Sequence, residues 1–247
     1  MENLNEKQKN IIDMYVKKMA KPCYAIEVVE GEPTQLDSSI GGIPYLPIGE
    51  NLPVNEKGEK MPLFVQLNLE GIDLDDYPNK GILQVFLENQ GGYPTEYKVR
   101  YYENIETDFQ KNVEVIDNEW VSIPLKVKLN KSESFLPPYD CDFDKCFLSI
   151  YNEVMGTKFN IYNEVKDYDS IVEELYGLKI PGNFGGYADS TQSQEFDYDQ
   201  NEVLVKIDSD LNRNICIGDA GILWVLITKE NLKSGKITEA WVDWDCC

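Results

Sequence analysis

The sequence predicts a predominantly β protein with a minor α component: one domain over residues 1–247, internally duplicated, behind an N-terminal amphipathic helix. Three observations predict it. Short runs rich in Val, Ile, Tyr and Phe recur between Gly-, Pro- and Asn-rich punctuation, the pattern of short strands. Two of those runs reappear 140 positions later with the gap between them preserved. Helical periodicity is confined to the N-terminus and to residues 149–155 and 167–177.

The helix comes first. Ile11, Ile12, Tyr15, Val16 and Met19 share one face after Leu4, with lysines and Glu6 elsewhere, and Pro22 stops the pattern. Strands follow at CYAIEVV (23–29), LFVQLNL (63–69), GILQVFL (81–87), YKVRYY (97–102) and WVSIPLKVKL (120–129). VLVKID (203–208), GILWVLI (221–227) and AWVDW (240–244) close the set. Turn clusters such as YPNKG and NQGGYP separate them. In DYDSIVEELYG, acids in the first turn suit the positive end of a helix dipole, and Gly177 marks the exit.

LFVQLN (63–68) aligns with VLVKID (203–208), and GILQVFL with GILWVLI, at one common offset. YYE (101–103) falls against WVD (241–243) at the same offset. Gly41–Gly42 has a looser partner in Gly185–Gly186, at an offset of 144. The reading is two related halves, about 23–103 and 180–245, sharing a core with pseudo-twofold symmetry. Residues 104–179 are then a connector with a helical insertion.

GGIPYLP, MPLFVQLNLEGI, KGILQVFL, GNFGGYADSTQ, VLVKIDSD, GDAGILWVLI and WVDWD occur in that order over residues 38–245. In this the chain resembles the YwqG-like family of bacterial proteins. The resemblance implies a mostly β, internally duplicated fold. It implies no activity and no catalytic residues, and it offers a lead towards immunity or interaction roles in bacterial conflict systems.

Charge narrows the function classes. Lys and Arg number 23 against 44 Asp and Glu, a formal net charge of −21. That field opposes phosphate backbones and anionic membrane surfaces, and it attracts basic proteins, polyamines or divalent cations. The plainer reading of the acidity is solubility. The chain has no histidine, which removes Ser-His-Asp logic and the commonest neutral metal ligand. Its six cysteines lack zinc-site spacing; the Cys246–Cys247 pair is a reactive thiol site or an inert tail. The N-terminus carries no apolar run and no stretch approaches a membrane span, so a cytoplasmic protein with reduced thiols is expected.

Three segments carry candidate chemistry. GGIPYLP reads as a structural corner, since Pro44 and Pro47 cannot open a phosphate-binding helix; a ligand lying on it would meet Tyr45 as a stacking face. In FDYDQNEVLVKIDSDLNRN, Asp197, Asp199 and Asn201 alternate, as do Asp208, Asp210 and Asn212. Such oxygens suit a hard cation, Ca²⁺ above all, and Asp219 falls at the twelfth position of the second run. Arg213 stands where an EF-hand needs glycine, and the flanks are strands, so turn capping is the competing reading. Asp219 paired with Asp208 or Asp210 would be the acid–base arrangement of an enzyme. In WVDWDCC, alternation puts Trp241, Asp243 and Asp245 on one face, a surface for a sugar or a cationic side chain unless the tryptophans close a core.

The function expected is a cytosolic, non-enzymatic acidic binding protein with a basic protein partner, in its sharpest form an immunity-type protein. The competitor is a divalent-cation-dependent or carboxylate-based enzyme or small-ligand binder using the acidic loop 195–219. No resident cofactor is expected beyond Ca²⁺ in that competing case.

Overall fold

A computed structural model describes residues 4–88, 93–192 and 196–246. Most of the predicted NQGGYP turn, the start of the acidic loop at Glu195 and Cys247 lie outside those residues. Helix α1 (Glu6–Lys18) opens the described chain, and a capping box closes its first turn. The Asn5 side chain accepts the Gln8 N–H at 3.0 Å, and Gln8 answers the Asn5 N–H at 2.7 Å.

The strands are β1 (Lys21–Val28), β2 (Ser39–Ile40), β3 (Leu63–Asn68), β4 (Ile82–Leu87), β5 (Tyr97–Tyr102) and β6 (Leu125–Ser134). Helices α2 (Phe143–Met155) and α3 (Tyr168–Gly177) follow. The second set is β7 (Gly182–Gly185), β8 (Asn201–Asp208), β9 (Ile222–Thr228), the short helix α4 (Lys229–Lys233) and β10 (Trp241–Asp245). Among the described residues the ten strands form one antiparallel sheet in the order β10-β9-β8-β7-β1-β6-β2-β3-β4-β5. The sheet curls until its two edge strands, β5 and β10, come into contact, giving a nearly closed barrel. The predominantly β prediction holds. Among the described residues no helix is long and apolar enough to cross a membrane.

The order is symmetric about the β1–β6 pair. In each arm the register follows one rule. Gln66 faces Gln84 and Lys206 faces Trp224; Asn68 faces Ile82 and Asp208 faces Ile222. The register slips at Leu63/Val65 in one arm and at Val203/Val205 in the other, a bulge at the same place 140 residues on. β2 and β7 match at the offset of 144, with Ser39 facing Gln66 and Asn183 facing Lys206. The outer strands correct the sequence alignment. Leu83 faces Tyr101 and Leu223 faces Trp244, so YYE and WVD are displaced by three positions from their true correspondence. β1 and β6 are exchanged. β1 precedes β2 in the chain but pairs with β7, while β6 precedes β7 and pairs with β2. The span 104–179 is therefore more than a connector, because it supplies a central strand.

Alternation fills the barrel. Leu83, Val85 and Leu87 of β4 share one core with Leu223, Val225 and Ile227 of β9, joined by Tyr24, Ile26, Ile40 and Phe184. Each such side chain, fully buried, contributes about 1.5–3 kcal/mol. The opposite faces of the arms carry smaller clusters, Ile222, Trp224 and Leu226 in one and Leu63, Phe86 and Met61 in the other. Helices α1, α2 and α3 make a separate aromatic core outside the barrel, where the Tyr15 and Phe143 rings lie 5.2 Å apart. The Tyr15 hydroxyl donates to Leu136 O at 2.9 Å, which anchors α1 to the chain leaving β6.

Candidate functional site

β1 is longer than the strand beside it. Its pairing with β7 runs from Cys23–Gly185 to Ala25–Asn183 and ends, although β1 continues to Val28. The chain entering β7 carries Pro181, which has no N–H to extend the ladder. The sheet splits there, and a cleft of about 490 Å³ opens between β1, residues 179–182 and the end of β8. Its apolar lining is Ile26, Ile40, Ile207 and Ile215, and its polar rim is Glu27, Lys179, Asp208, Asp210 and Arg213. The Val29 N–H bonds to Lys126 O at 2.9 Å, so odd-numbered backbone groups of β1 face β6. Those of Val28 face the cleft, and its side chain is 36% exposed.

Beneath the rim lies a buried charge network. Lys206 is 2% exposed; its ammonium donates to Ile180 O at 2.6 Å, with Asp208 Oδ1 at 3.0 Å and Asp189 Oδ2 at 4.0 Å. The contact to Asp208 Oδ1 is an ion pair off the hydrogen-bonding direction. Lys179 closes the group by pairing with the buried Asp189. Burial pushes the Asp208 carboxyl above the usual range; Lys206 pulls it down and Asp189 adds to the rise. Asp210 has another role. It accepts the N–H groups of Asn212 at 3.1 Å and Arg213 at 3.3 Å, and it pairs with the Arg213 guanidinium, capping the turn Leu211–Arg213.

A second cleft of about 380 Å³ repeats the first in the other arm. Lys126, Val127, Lys128 and Leu129 of β6 take the places of Ala25, Ile26, Glu27 and Val28. Residues 36–38 stand for 180–182, Asn68 for Asp208 and Glu70 for Asp210. The shape belongs to the doubled fold and the charges do not. Where the first cleft presents Glu27, the second presents Lys128.

The predicted site residues separate. Asp208 and Asp210 meet at the first cleft. Asp219 is exposed in the turn closed by the Gly221 N–H on Ile217 O at 2.7 Å, and it does not line the cleft. Tyr45 is a correction. It is fully buried, its hydroxyl accepts the Glu106 N–H at 2.9 Å, and its ring packs on Phe109 and Tyr102, so no stacking face is offered. Its N–H and C=O bind the Gln66 and Gln84 side chains at 2.9 and 2.8 Å, so GGIPYLP is the corner that seats loop 42–62. Trp241 lies elsewhere, on the outer face of β10, lining a cavity of about 220 Å³ with Phe196, Tyr198, Leu226, Asp197 and Asp243.

Among the described residues no three Cys, Asp or Glu side chains are grouped to hold a metal ion. Asp197 Oδ1 accepts the N–H groups of Asp199 at 3.1 Å and Gln200 at 3.2 Å, so the first run of alternating acids starts with a turn cap, and in the second run Asp210 is the cap while Asp208 pairs with Lys206. No disulfide joins the described cysteines, and burial pushes the Cys23 thiol up to about 11. Sequence reasoning missed Lys206, Lys179, Asp189 and Glu27. One signal was available: Lys206 in VLVKID and Gln66 in LFVQLN are polar residues aligned at the centre of apolar strands.

Residues 38–246 match the model of a family described as a domain of unknown function (DUF1963). No curated protein matches the chain. The chain belongs to the DUF1963 family.

Proposed function

We propose that this DUF1963-family protein, YwqG-like in its motifs, is a non-enzymatic binding protein of the cytoplasm that takes an extended segment of a basic protein partner into the cleft beside β1. One observation carries the reading. The edge of β1 loses its strand partner after Ala25, at the place where an isoleucine-lined cleft opens. A peptide entering there meets the backbone groups of Val28, an apolar floor and the carboxylates of Glu27, Asp208 and Asp210. The formal charge of −21 steers cationic chains towards it at long range. Neutralising a cationic toxin is the sharpest form of this role. Asp208 Oδ1 stands beside Lys206 and Asp210 pairs with Arg213, so a basic residue of the partner would join existing ion pairs, an arrangement suited to recognition.

Selection of peptides from a displayed random library tests the proposal. Enriched sequences are expected to carry Lys or Arg around an aliphatic residue. Their affinity is expected to fall at least tenfold from about 50 mM to about 0.5 M salt. Val28→Pro, which removes an N–H facing the cleft, is expected to abolish binding while circular dichroism stays unchanged. Enrichment of acidic or uncharged sequences, or equal affinity in the proline variant, refutes the reading.

A further inference from the structure

The two arms treat the outer faces of their last three strands differently. In the first arm Leu63, Phe86 and Lys98 form one row across β3, β4 and β5, and Arg100 follows two residues on. The Arg100 guanidinium lies over the Phe86 ring, 5.6 Å from its centroid, and donates to Asn51 O at 2.8 Å in the covering loop. That position is filled by the chain's own cation.

In the second arm the matching row is Val203, Leu226 and Trp241, and Asp243 stands where Arg100 stood. The charge is reversed and the aromatic ring has moved to the outer strand. The covering segment brings Phe196, Asp197 and Tyr198 over the row. Between them remains the cavity of about 220 Å³, walled by the rings of Phe196, Tyr198 and Trp241 and by three carboxylates, Asp197, Asp243 and Glu202, of which Glu202 is paired with Lys21 and Lys229. The same wall already holds an ammonium on its inner side. Lys21 Nζ lies 5.5 Å from the Tyr198 ring centroid and 2.6 Å from Glu202 Oε2.

We propose that the cup of Phe196, Tyr198, Leu226 and Trp241, rimmed by Asp197 and Asp243, binds the cationic head of a guanidinium or ammonium side chain. The aromatic faces attract the cation and the carboxylates neutralise it. The arm-to-arm comparison supplies the reason. One arm closes this place with an internal Arg–Phe contact; in the other the chain's own lysines, Lys21 and Lys229, pair with Glu202, and the carboxylates of Asp197 and Asp243 beside the rings are left to a cation from outside. The proposal deepens the basic-partner reading and depends on it only for the source of the cation.

Calorimetric titration with N-acetyl-arginine methylamide, against its neutral isostere N-acetyl-citrulline methylamide, tests the cup without any partner. Saturable one-to-one binding of the arginine probe is expected, at least tenfold tighter than that of the citrulline probe. Asp243→Asn keeps the oxygen that accepts the Trp244 N–H at 2.8 Å and is expected to weaken the arginine probe at least tenfold. Asp197→Asn provides an independent second variant, Trp241→Leu removes the ring, and Asp219→Asn, outside the cup, is expected to change nothing. Equal binding of both probes, binding of the arginine probe that is undiminished in all three cup variants, or no binding to the unmodified protein overturns the proposal. Failure here with basic peptides still captured in the β1 cleft removes the cup alone; the converse removes the cleft reading alone.

Discussion

Gly81 and Gly221 occupy equivalent places before β4 and β9, and with Gly58 they separate backbone strain from steric contact. Gly81 has φ +82°, and a Cβ there would sit 2.8 Å from Glu103 Cα and nearer still to the carbonyl oxygen of Tyr102. Gly58 has a similar φ of +81°, but a Cβ would meet nothing within 4 Å. At Gly221 a Cβ would lie 2.7 Å from Cys246 Cβ and nearer still to the Asp245 carbonyl oxygen. The left-handed conformation costs a non-glycine residue about 1–2 kcal/mol. Forcing a methyl into fixed backbone costs about 1–3 kcal/mol more. Gly58→Ala is therefore expected to cost about 1 kcal/mol, once the stiffer unfolded chain offsets part of the strain. Gly81→Ala, which combines both effects, is expected to cost about 2–5 kcal/mol. For a chain of this length that is a fall in Tm of roughly 4–20 °C. Gly221→Ala is expected to fall between the two. Urea denaturation and differential scanning calorimetry of the three variants provide the measurement. A Gly81→Ala protein as stable as the parent, or one no worse than Gly58→Ala, would refute the close approach of β5 to the turn before β4.

Three further perturbations have expected outcomes. Burial pushes the Asp245 carboxyl up, but the Ser190 hydroxyl and the N–H groups of Thr191 and Gln192 outweigh it and hold its pKa below the usual range. A depressed carboxylate stabilises above its unfolded pKa, so Asp245→Asn should cost about 1–3 kcal/mol at pH 7. That difference should fade as pH drops below about 4, as urea melts at both pH values would show. Asp189→Ala leaves Lys179 without its buried carboxylate and Lys206 with Asp208 alone, and should cost about 3–5 kcal/mol in urea denaturation. Calorimetric titration with Ca²⁺ and Mg²⁺ should give no saturable heat, because Asp197 and Asp210 cap turns and Asp208 pairs with Lys206; stoichiometric binding lost in Asp208→Asn would restore the cation reading.

The offset of 140 was legible because apolar strands that pair in the same register must keep the same spacing, and the bulges fall where that spacing places them. β2 and β7 were not legible as strands. They run two and four residues, next to or through glycines, and take their form from their neighbours. The exchange of β1 and β6 leaves no trace in a linear pattern, since a strand reads alike whichever neighbour it pairs with. Of the site, the acids at the end of β8 were found because a strand end followed by a turn gathers such residues. Lys206 reads as a solvent-facing lysine until residues 179–189 fold over it. Tyr45 failed for a related reason, since nothing in GGIPYLP reveals that loop 103–110 covers the ring.

The central claim, that the split beside β1 receives a basic partner chain, is tested most directly by amide hydrogen exchange with and without a selected basic peptide. New protection at residues 26–28 and 208–215, weakened by added salt, is predicted. Peptide binding that leaves those amides unchanged and protects another face would contradict it.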